Sequence, residues 1–313
     1  MNPFKWGIIG STEKAKLFTT DLQYAKYTHV LDTFLPIDNN AVPSDILIPN
    51  VTATLQDFLQ SETDAVYIAS PYQQHYAQVK HCLLQGKPVL CERPIATNAG
   101  ELQHLMDLSE HNHTFMMEAM WIRFLPSIKK ILSIISSGAI GELLSVKASI
   151  SCKPNDATQL HTGGGALLEL GIYPVFLCTL LLGRPEYVQA KGKRNKNGED
   201  EFFSAFLSYE EGQYGFIEAT RITRGDSSAT ITGDKGSITI KNPWSIKPEG
   251  IEVDFFDGTK VLHKSEWAGQ GLHFELDEVY ECVEEGVIES QLYCHHFSLD
   301  VMESMDAIRN QLL

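Results

Sequence analysis

The distribution of apolar and polar positions divides the chain into two textures. From residue 6 to about 119, short apolar runs alternate with stretches of helical periodicity, the signature of parallel βαβ units. "WGIIG" (6–10), "THVLDTFLPI" (28–37), "DAVYIAS" (64–70), "PVLCERP" (88–94) and "TFMMEAM" (114–120) read as strands. Between two of them, "QQHYAQVKHCLLQGK" places Tyr76, Val79, Cys82 and Leu83 at helical spacing, and Gly86 followed by Pro88 ends that helix. The second crossover is abbreviated: residues 38–63 carry two prolines and no full helical stretch before "ATLQDFLQ".

Beyond residue 120 the period changes. A helix at "PSIKKILSIISSG" is followed by "LLSVKASISC", "YVQAKGKR", "FFSAFLSY", "YGFIEATR", "SSATITG", "GSITIK" and "IEVDFF", many joined by short glycine turns as in an antiparallel sheet. Two late helices follow. The first, over 273–285, puts Leu276, Val279, Tyr280 and Val283 on one face and acids on the other, which reads as a solvated face. The expected fold is therefore α/β plus α+β, with a parallel-sheet domain over 1–119 and a domain with a large, mostly antiparallel open sheet over 120–313.

Composition narrows the function classes. The 313 residues are 43% apolar and 21% charged, enough for two globular cores, and no apolar run reaches the length of about 18 residues that a membrane span needs. A formal charge of −15 disfavours nucleic acid and anionic membranes as partners. The first residues, "MNPFKWGII", lack a basic region, an apolar core and a cleavage site, and the expectation is a cytoplasmic protein. Six cysteines without a CxxC pair fit reduced thiols. "CHH" at 294–296 reads as an ordinary segment, and no metal site is expected.

Chemistry concentrates where the first strand should turn into a helix, in "GIIGSTEKAK". A dinucleotide loop needs a glycine for the tight turn, a second for close approach of the pyrophosphate and a third small residue for helix packing. Gly10 and Ala15 fit the first and third, Thr12 stands at the second, and Lys14 replaces an apolar residue. Thr12 either crowds the pyrophosphate or caps the helix through its hydroxyl, with Glu13 competing electrostatically for the same helix end. Further on, Glu169 is the only charged residue between Ala166 and Gly183, so a helix there buries it nearly alone, with Tyr173 one turn later on the same face.

The blocks "DAVYIASPYQQHYAQV", "GKPVLCERPIATN", "MMEAMWIRFLPSIKKI", "SGAIGEL", "GGGALLELGIYPV" and "TITGDKGSITIKNPW" together resemble, in order and across nearly the whole chain, the glucose-fructose oxidoreductase, inositol dehydrogenase and rhizopine-catabolism (Gfo/Idh/MocA) family, and within it the trans-dihydrodiol dehydrogenase type. The resemblance implies an N-terminal Rossmann domain, hydride exchange with NAD or NADP in a cleft between the two domains, a small sugar, polyol or dihydrodiol as substrate, and a homo-oligomer, dimer or tetramer, formed through the C-terminal sheet. It places the family's Glu-Lys-Pro triplet on Glu92, Arg93 and Pro94, and the second catalytic block on Glu169 and Tyr173.

Arg93, Glu169 and Tyr173 are thus the catalytic candidates. Arg93 keeps its charge and orients or stabilises an anion without accepting a proton; a structural ion pair is the alternative. Tyr173 takes the hydroxyl proton as a phenolate beside Arg93, with Glu169 orienting substrate or relaying the proton; the alternative is a hydroxyl merely satisfied at a domain boundary. Cofactor contacts fall on Gly10, Ser11, Thr12, Asp38, Ser70, Pro71, Tyr72, His75, Glu92, Arg93 and Glu118. Trp121, Arg123 and His161 are pocket candidates, Trp121 equally well a packing residue at the hinge. "LPIDNN" offers Asp38 to a ribose and no arginine to a 2′-phosphate, which favours NAD over NADP. The alternative to an enzyme is a catalytically degenerate descendant that binds a metabolite or partner in the old cleft.

Overall fold

A computed structural model describes residues 2–38, 48–152, 164–225, 227–245 and 247–312. The chain forms two compact units. One comprises Met1–Leu125 and Trp267–Ser298, the other Pro126–Glu266 and Leu299–Leu313. The sequence leads one to expect a single boundary at 119/120. In the structure the chain leaves the first unit and later returns to it.

The first unit holds strands β1 (Phe4–Gly10), β2 (His29–Pro36), β3 (Asn50–Val51), β4 (Ala65–Ala69), β5 (Val89–Glu92) and β6 (Met116–Ala119). They form one six-stranded sheet in the order β3-β2-β1-β4-β5-β6, parallel throughout. Helices α1 (Thr12–Leu22), α2 (Leu55–Leu59), α3 (His75–Leu84) and α4 (Ala99–His111) connect them. Trp6, Ile8, Phe34, Val66, Ile68 and Leu90 are buried, as continuous apolar strands covered on both faces require. The five-residue α2 is the abbreviated crossover. This strand order reverses direction between β1 and β4, the switch point at which such sheets receive ligands beyond their carboxyl ends.

In the second unit, α5 (Pro126–Ser136) leads into β7 (Leu143–Ser151), and α6 (Ile172–Leu182) precedes β8 (Tyr187–Arg194), β9 (Asp200–Ser208), β10 (Tyr214–Thr220), β11 (Ser228–Gly233), β12 (Gly236–Lys241), β13 (Ile251–Phe255) and β14 (Lys260–His263). The eight strands run in the order β14-β13-β12-β11-β7-β10-β9-β8, and only the β7–β10 pair is parallel. Alternation assigns Val146, Ala148, Phe203, Leu207, Ile217, Ile231 and Ile238 to the buried face. The opposite face exposes Phe206 and Phe216, which are register partners, together with Leu262. Helix α6 is apolar all round, and Ile172–Thr179 are all buried.

The last helices are α7 (Leu272–Glu285) and α8 (His295–Arg309). The acids of α7, expected to be a solvated face, are occupied by the first unit. Asp277 accepts from the backbone N–H of Lys26 and Tyr27 and from His29 Nε2. Since His29 Nδ1 accepts from Trp6 Nε1, the proton toward Asp277 sits on Nε2. Glu281 accepts from Tyr27 Oη and Lys26 Nζ, Glu278 from Ser290 Oγ, and Glu275 is buried. These carboxylates meet donors more than 250 residues away in the case of Asp277 and Glu281 with Lys26, which a helical wheel cannot display. Among the described residues, no helix is long and apolar enough to cross a membrane.

Candidate functional site

The β1–α1 turn is built by close approach. A Cβ on Gly10 would lie 3.1 Å from the Ala69 carbonyl oxygen and 3.2 Å from its Cβ, so glycine lets β1 end close against β4 without pressing on it. Ala15 is fully buried and seats α1 on the sheet. The helix cap belongs to Ser11, whose Oγ accepts from Lys14 N at 3.3 Å; the Thr12 hydroxyl, expected as a cap, is used differently. Thr12 N donates to Asp38 Oδ2 at 3.1 Å and Thr12 Oγ1 to Asp38 Oδ1 at 2.9 Å. Glu13, expected to compete at the helix end, is exposed. The helix N-terminus thus already binds an anion, supplied by the end of β2.

Lys14 reaches the end of β5. Its Nζ donates to Glu92 Oε1 at 2.6 Å, and Tyr67 Oη donates to the same oxygen at 2.7 Å. Burial pushes the Glu92 carboxyl up, but Lys14, Arg93 and the two hydrogen bonds outweigh it and hold the group down to about 2. Glu275 of α7 titrates in the opposite sense. Burial, then the Glu92 charge, raise it well above the carboxylate range against the pull of Lys14, and neither oxygen has a hydrogen-bond partner among the described residues. The two carboxyls are thus pushed in opposite directions, Glu92 down and Glu275 up.

The other first-unit candidates divide into strand-end residues and buried struts. Pro71 precedes a 3-10 turn at Tyr72–Gln74, and Tyr72 is buried. Ser70 Oγ donates to Gln78. His75 is buried, with Nδ1 and Nε2 each 2.8 Å from a carbonyl oxygen, of Pro94 and Ser70, so the ring ties the β4 and β5 ends together. Arg93 directly follows β5. Glu118 lies in β6 beneath the segment after Arg93 and accepts from Ile95 N (2.9 Å), Tyr293 Oη (2.7 Å) and Ser298 Oγ (2.9 Å). Burial raises its carboxyl, opposed by those three bonds and Arg93. Trp121 and Arg123 share a 3-10 turn, in which Arg123 Nε donates to the Leu292 carbonyl at 2.8 Å.

In the second unit, Glu169 sits in a π-helical turn, Leu167–Gly171, that runs directly into α6. Such turns insert one residue into a helix and re-aim its side chains. Glu169 is buried, and a Cβ on Gly164 would run into its carboxylate, so the glycine is what lets the acid lie against the backbone. Asp200 of β9 fixes the start of this segment by accepting from Leu167 N at 2.5 Å. Tyr173, 7% exposed, stacks on Trp244 with ring centroids 5.9 Å apart and planes at 21°. Trp244 is itself held by its Nε1 donating to the Ser149 carbonyl at 2.8 Å. His161 lies outside the described residues.

Sequence reasoning missed Trp244, Asp200, Tyr67 and Glu275 as neighbours of the candidates. Only Lys14, a cation where the motif wants an apolar side chain, carried a visible signal. No group of three or more His, Cys, Asp or Glu placed to hold a metal occurs among the described residues.

Two family models match the chain. Residues 4–119 match "Oxidoreductase family, NAD-binding Rossmann fold", and residues 128–239 match the "GFO/IDH/MocA C-terminal domain". A trans-1,2-dihydrobenzene-1,2-diol dehydrogenase of Xenopus tropicalis is 32% identical over 277 residues, covering 85% of this chain and 83% of that protein. Among solved structures, an aldose-aldose oxidoreductase from Caulobacter crescentus complexed with glycerol superposes with a TM-score of 0.86 at 17% identity, covering 99% of this chain and 97% of the other. A levoglucosan dehydrogenase in complex with NADH and levoglucosan does so with 0.84 at 18% identity, over the same shares of the two chains. These two likenesses speak for the fold.

Proposed function

The chain belongs to the Gfo/Idh/MocA family of oxidoreductases, and on that premise we propose that it exchanges a hydride between a nicotinamide dinucleotide and a ring carbinol or ketone of a sugar, polyol or dihydrodiol. The observation that carries this reading is the anion-binding α1 N-terminus at the switch point of the β3-β2-β1-β4-β5-β6 sheet. The residues fit the cofactor in kind: Gly10 and Ala15 keep the turn tight, and the Thr12 N–H already donates to a carboxylate where a phosphate oxygen would be received. Gly10, Ser11, Thr12, the Ser70–His75 turn and Glu92–Arg93 are the residues proposed to hold it, with NAD favoured because the nearby Asp38 carboxylate repels a 2′-phosphate.

When bound, the cofactor supplies the carbon that gives or takes the hydride. Arg93 holds the substrate oxygen with a charge that no relevant pH removes. Tyr173 takes the hydroxyl proton on its phenolic oxygen as the alcohol is oxidised and returns it on reduction. Trp244 and the burial of Tyr173 restrict that ring to one orientation. Glu169 orients the substrate, and Trp121 and Arg123 are further proposed substrate contacts. Glu118, with three donors already in place, supports Ile95 and acts on Arg93 through the loop between them.

The exposed aromatic face around Phe206 and Phe216 supports self-association of the C-terminal sheet. The scattered spacing of the six cysteines, with no CxxC pair, supports a reducing, cytoplasmic setting. Titration with NADH and NADPH, followed by thermal shift, tests the proposal. Saturable stabilisation, stronger with NADH, is expected; no response to either at millimolar concentration contradicts it and favours the catalytically degenerate reading, which the Asp38 occupancy of the helix end supports.

A further inference from the structure

From the bond pattern at the start of α1, we infer that Asp38 is an intramolecular competitor for the dinucleotide phosphates, a contact that holds the cofactor loop closed until an anion displaces it. This rests on the NAD-binding reading above. The first N–H groups of a helix have no intrahelical acceptor and carry its positive end. Here Thr12 N is bonded to Asp38 and Lys14 N to Ser11 Oγ.

Residue 12 supplies the second half of the contact. Its hydroxyl donates to the other Asp38 oxygen, so the carboxylate is gripped by two donors of one residue. A glycine at this position offers only the N–H. The carboxylate is also delivered by tethered backbone, because Ile37 N donates to the Gly10 carbonyl at 3.1 Å and pins the end of β2 against the turn. A tethered anion competes at high effective concentration with one arriving from solution. An incoming pyrophosphate must evict this carboxylate or share its donor at the cost of like-charge repulsion.

The sign of one substitution separates this role from that of a simple ribose acceptor. A ribose acceptor loses affinity when truncated, whereas a competitor releases the site. Calorimetric titration of wild type, Asp38→Ala, Asp38→Asn and Thr12→Gly with NADH, NADPH and inorganic pyrophosphate reads the difference. Asp38→Ala is expected to bind NADH about ten-fold tighter, a gain typical of freeing a helix end from one charge, and NADPH to gain more. Asp38→Asn falls between, Thr12→Gly also tightens NADH, and pyrophosphate binds Asp38→Ala alone of the Asp38 series.

Weaker or unchanged NADH binding by Asp38→Ala, with wild type binding normally, overturns the competition and leaves the proposed function standing. Failure of pyrophosphate to bind Asp38→Ala overturns it independently of any dinucleotide. No dinucleotide binding by any of the four proteins overturns both readings. Unliganded thermal midpoints of the variants identify any loss of fold.

Discussion

Asp21 is the residue whose removal the fold should feel most sharply. It lies in the last turn of α1, is 1% exposed, and accepts from Gln270 N at 2.6 Å, His273 N at 3.1 Å and His273 Nδ1 at 3.1 Å. It therefore caps α7 from another helix, across a turn that Gly269 (φ +67°) and Gly271 (φ +97°) make possible. Asp21→Ala deletes three bonds to a charged acceptor and leaves donors stranded in the interior. Hydrogen bonds to charged groups contribute about 1.5–3 kcal/mol each, and breaking a buried pair costs about 3–5 kcal/mol, so a loss of about 4 kcal/mol is expected. Urea unfolding of the whole chain, followed by the fluorescence of Trp6, Trp121 and Trp267 in the first unit, measures it. A loss below about 1 kcal/mol would refute the capping role. Asp21→Asn, which keeps one acceptor oxygen, should recover part of the loss.

Other consequences follow from the same groups. Asp21 and Asp277 resist protonation because hydrogen bonds outweigh the burial that opposes ionisation, so each contributes stability that is full above the ordinary 3.8 and disappears as pH falls through its lower folded value. Glu275 has the reverse sign, its folded value being raised: its contribution is present below 4.5 and is lost as pH rises through the folded value. Glu275→Gln should therefore stabilise the protein at neutral pH while Asp21→Asn destabilises it, and paired denaturation curves at pH 5 and 8 would expose an error in either assignment. Tyr173→Phe should lower kcat by about 10²–10⁴-fold with NADH affinity unchanged, and an unaltered rate removes the tyrosine from proton transfer. If the C-terminal sheet self-associates as proposed, Phe206→Lys together with Phe216→Lys shifts the protein to a smaller species in sedimentation, and an unchanged species overturns that proposal.

The strands were the most legible part of the chain, because alternation has a strict period and side chains obey it: β8 and β12 have the limits that their apolar pattern draws. The two-residue β3 leaves no pattern to read, and β14 is an edge strand whose side chains are mostly exposed. Within the candidate site, the isolation of Glu169 in an apolar run foretold its burial, yet the π turn around it was invisible, since "LLELGIYPVFL" is apolar under either helical period. Contacts across long separations were illegible for a physical reason. The Tyr173–Trp244 stack, the Asp21 cap and the Lys14–Glu92 pair arise from tertiary packing, and local spacing encodes none of them. Ser11 taking the cap and Thr12 turning to Asp38 is the same lesson at close range, because Asp38 arrives from the next strand.

Hydride transfer itself is tested most directly by isotope. NADH carrying deuterium at the transferable C4 position of its nicotinamide, incubated with the chain and a panel of cyclic ketoses, inosose-type ketones and ortho-hydroxyketones, should place one deuterium on the newly formed carbinol carbon of one class of product. Saturable NADH binding without deuterium reaching any of these carbonyls would contradict the oxidoreductase account.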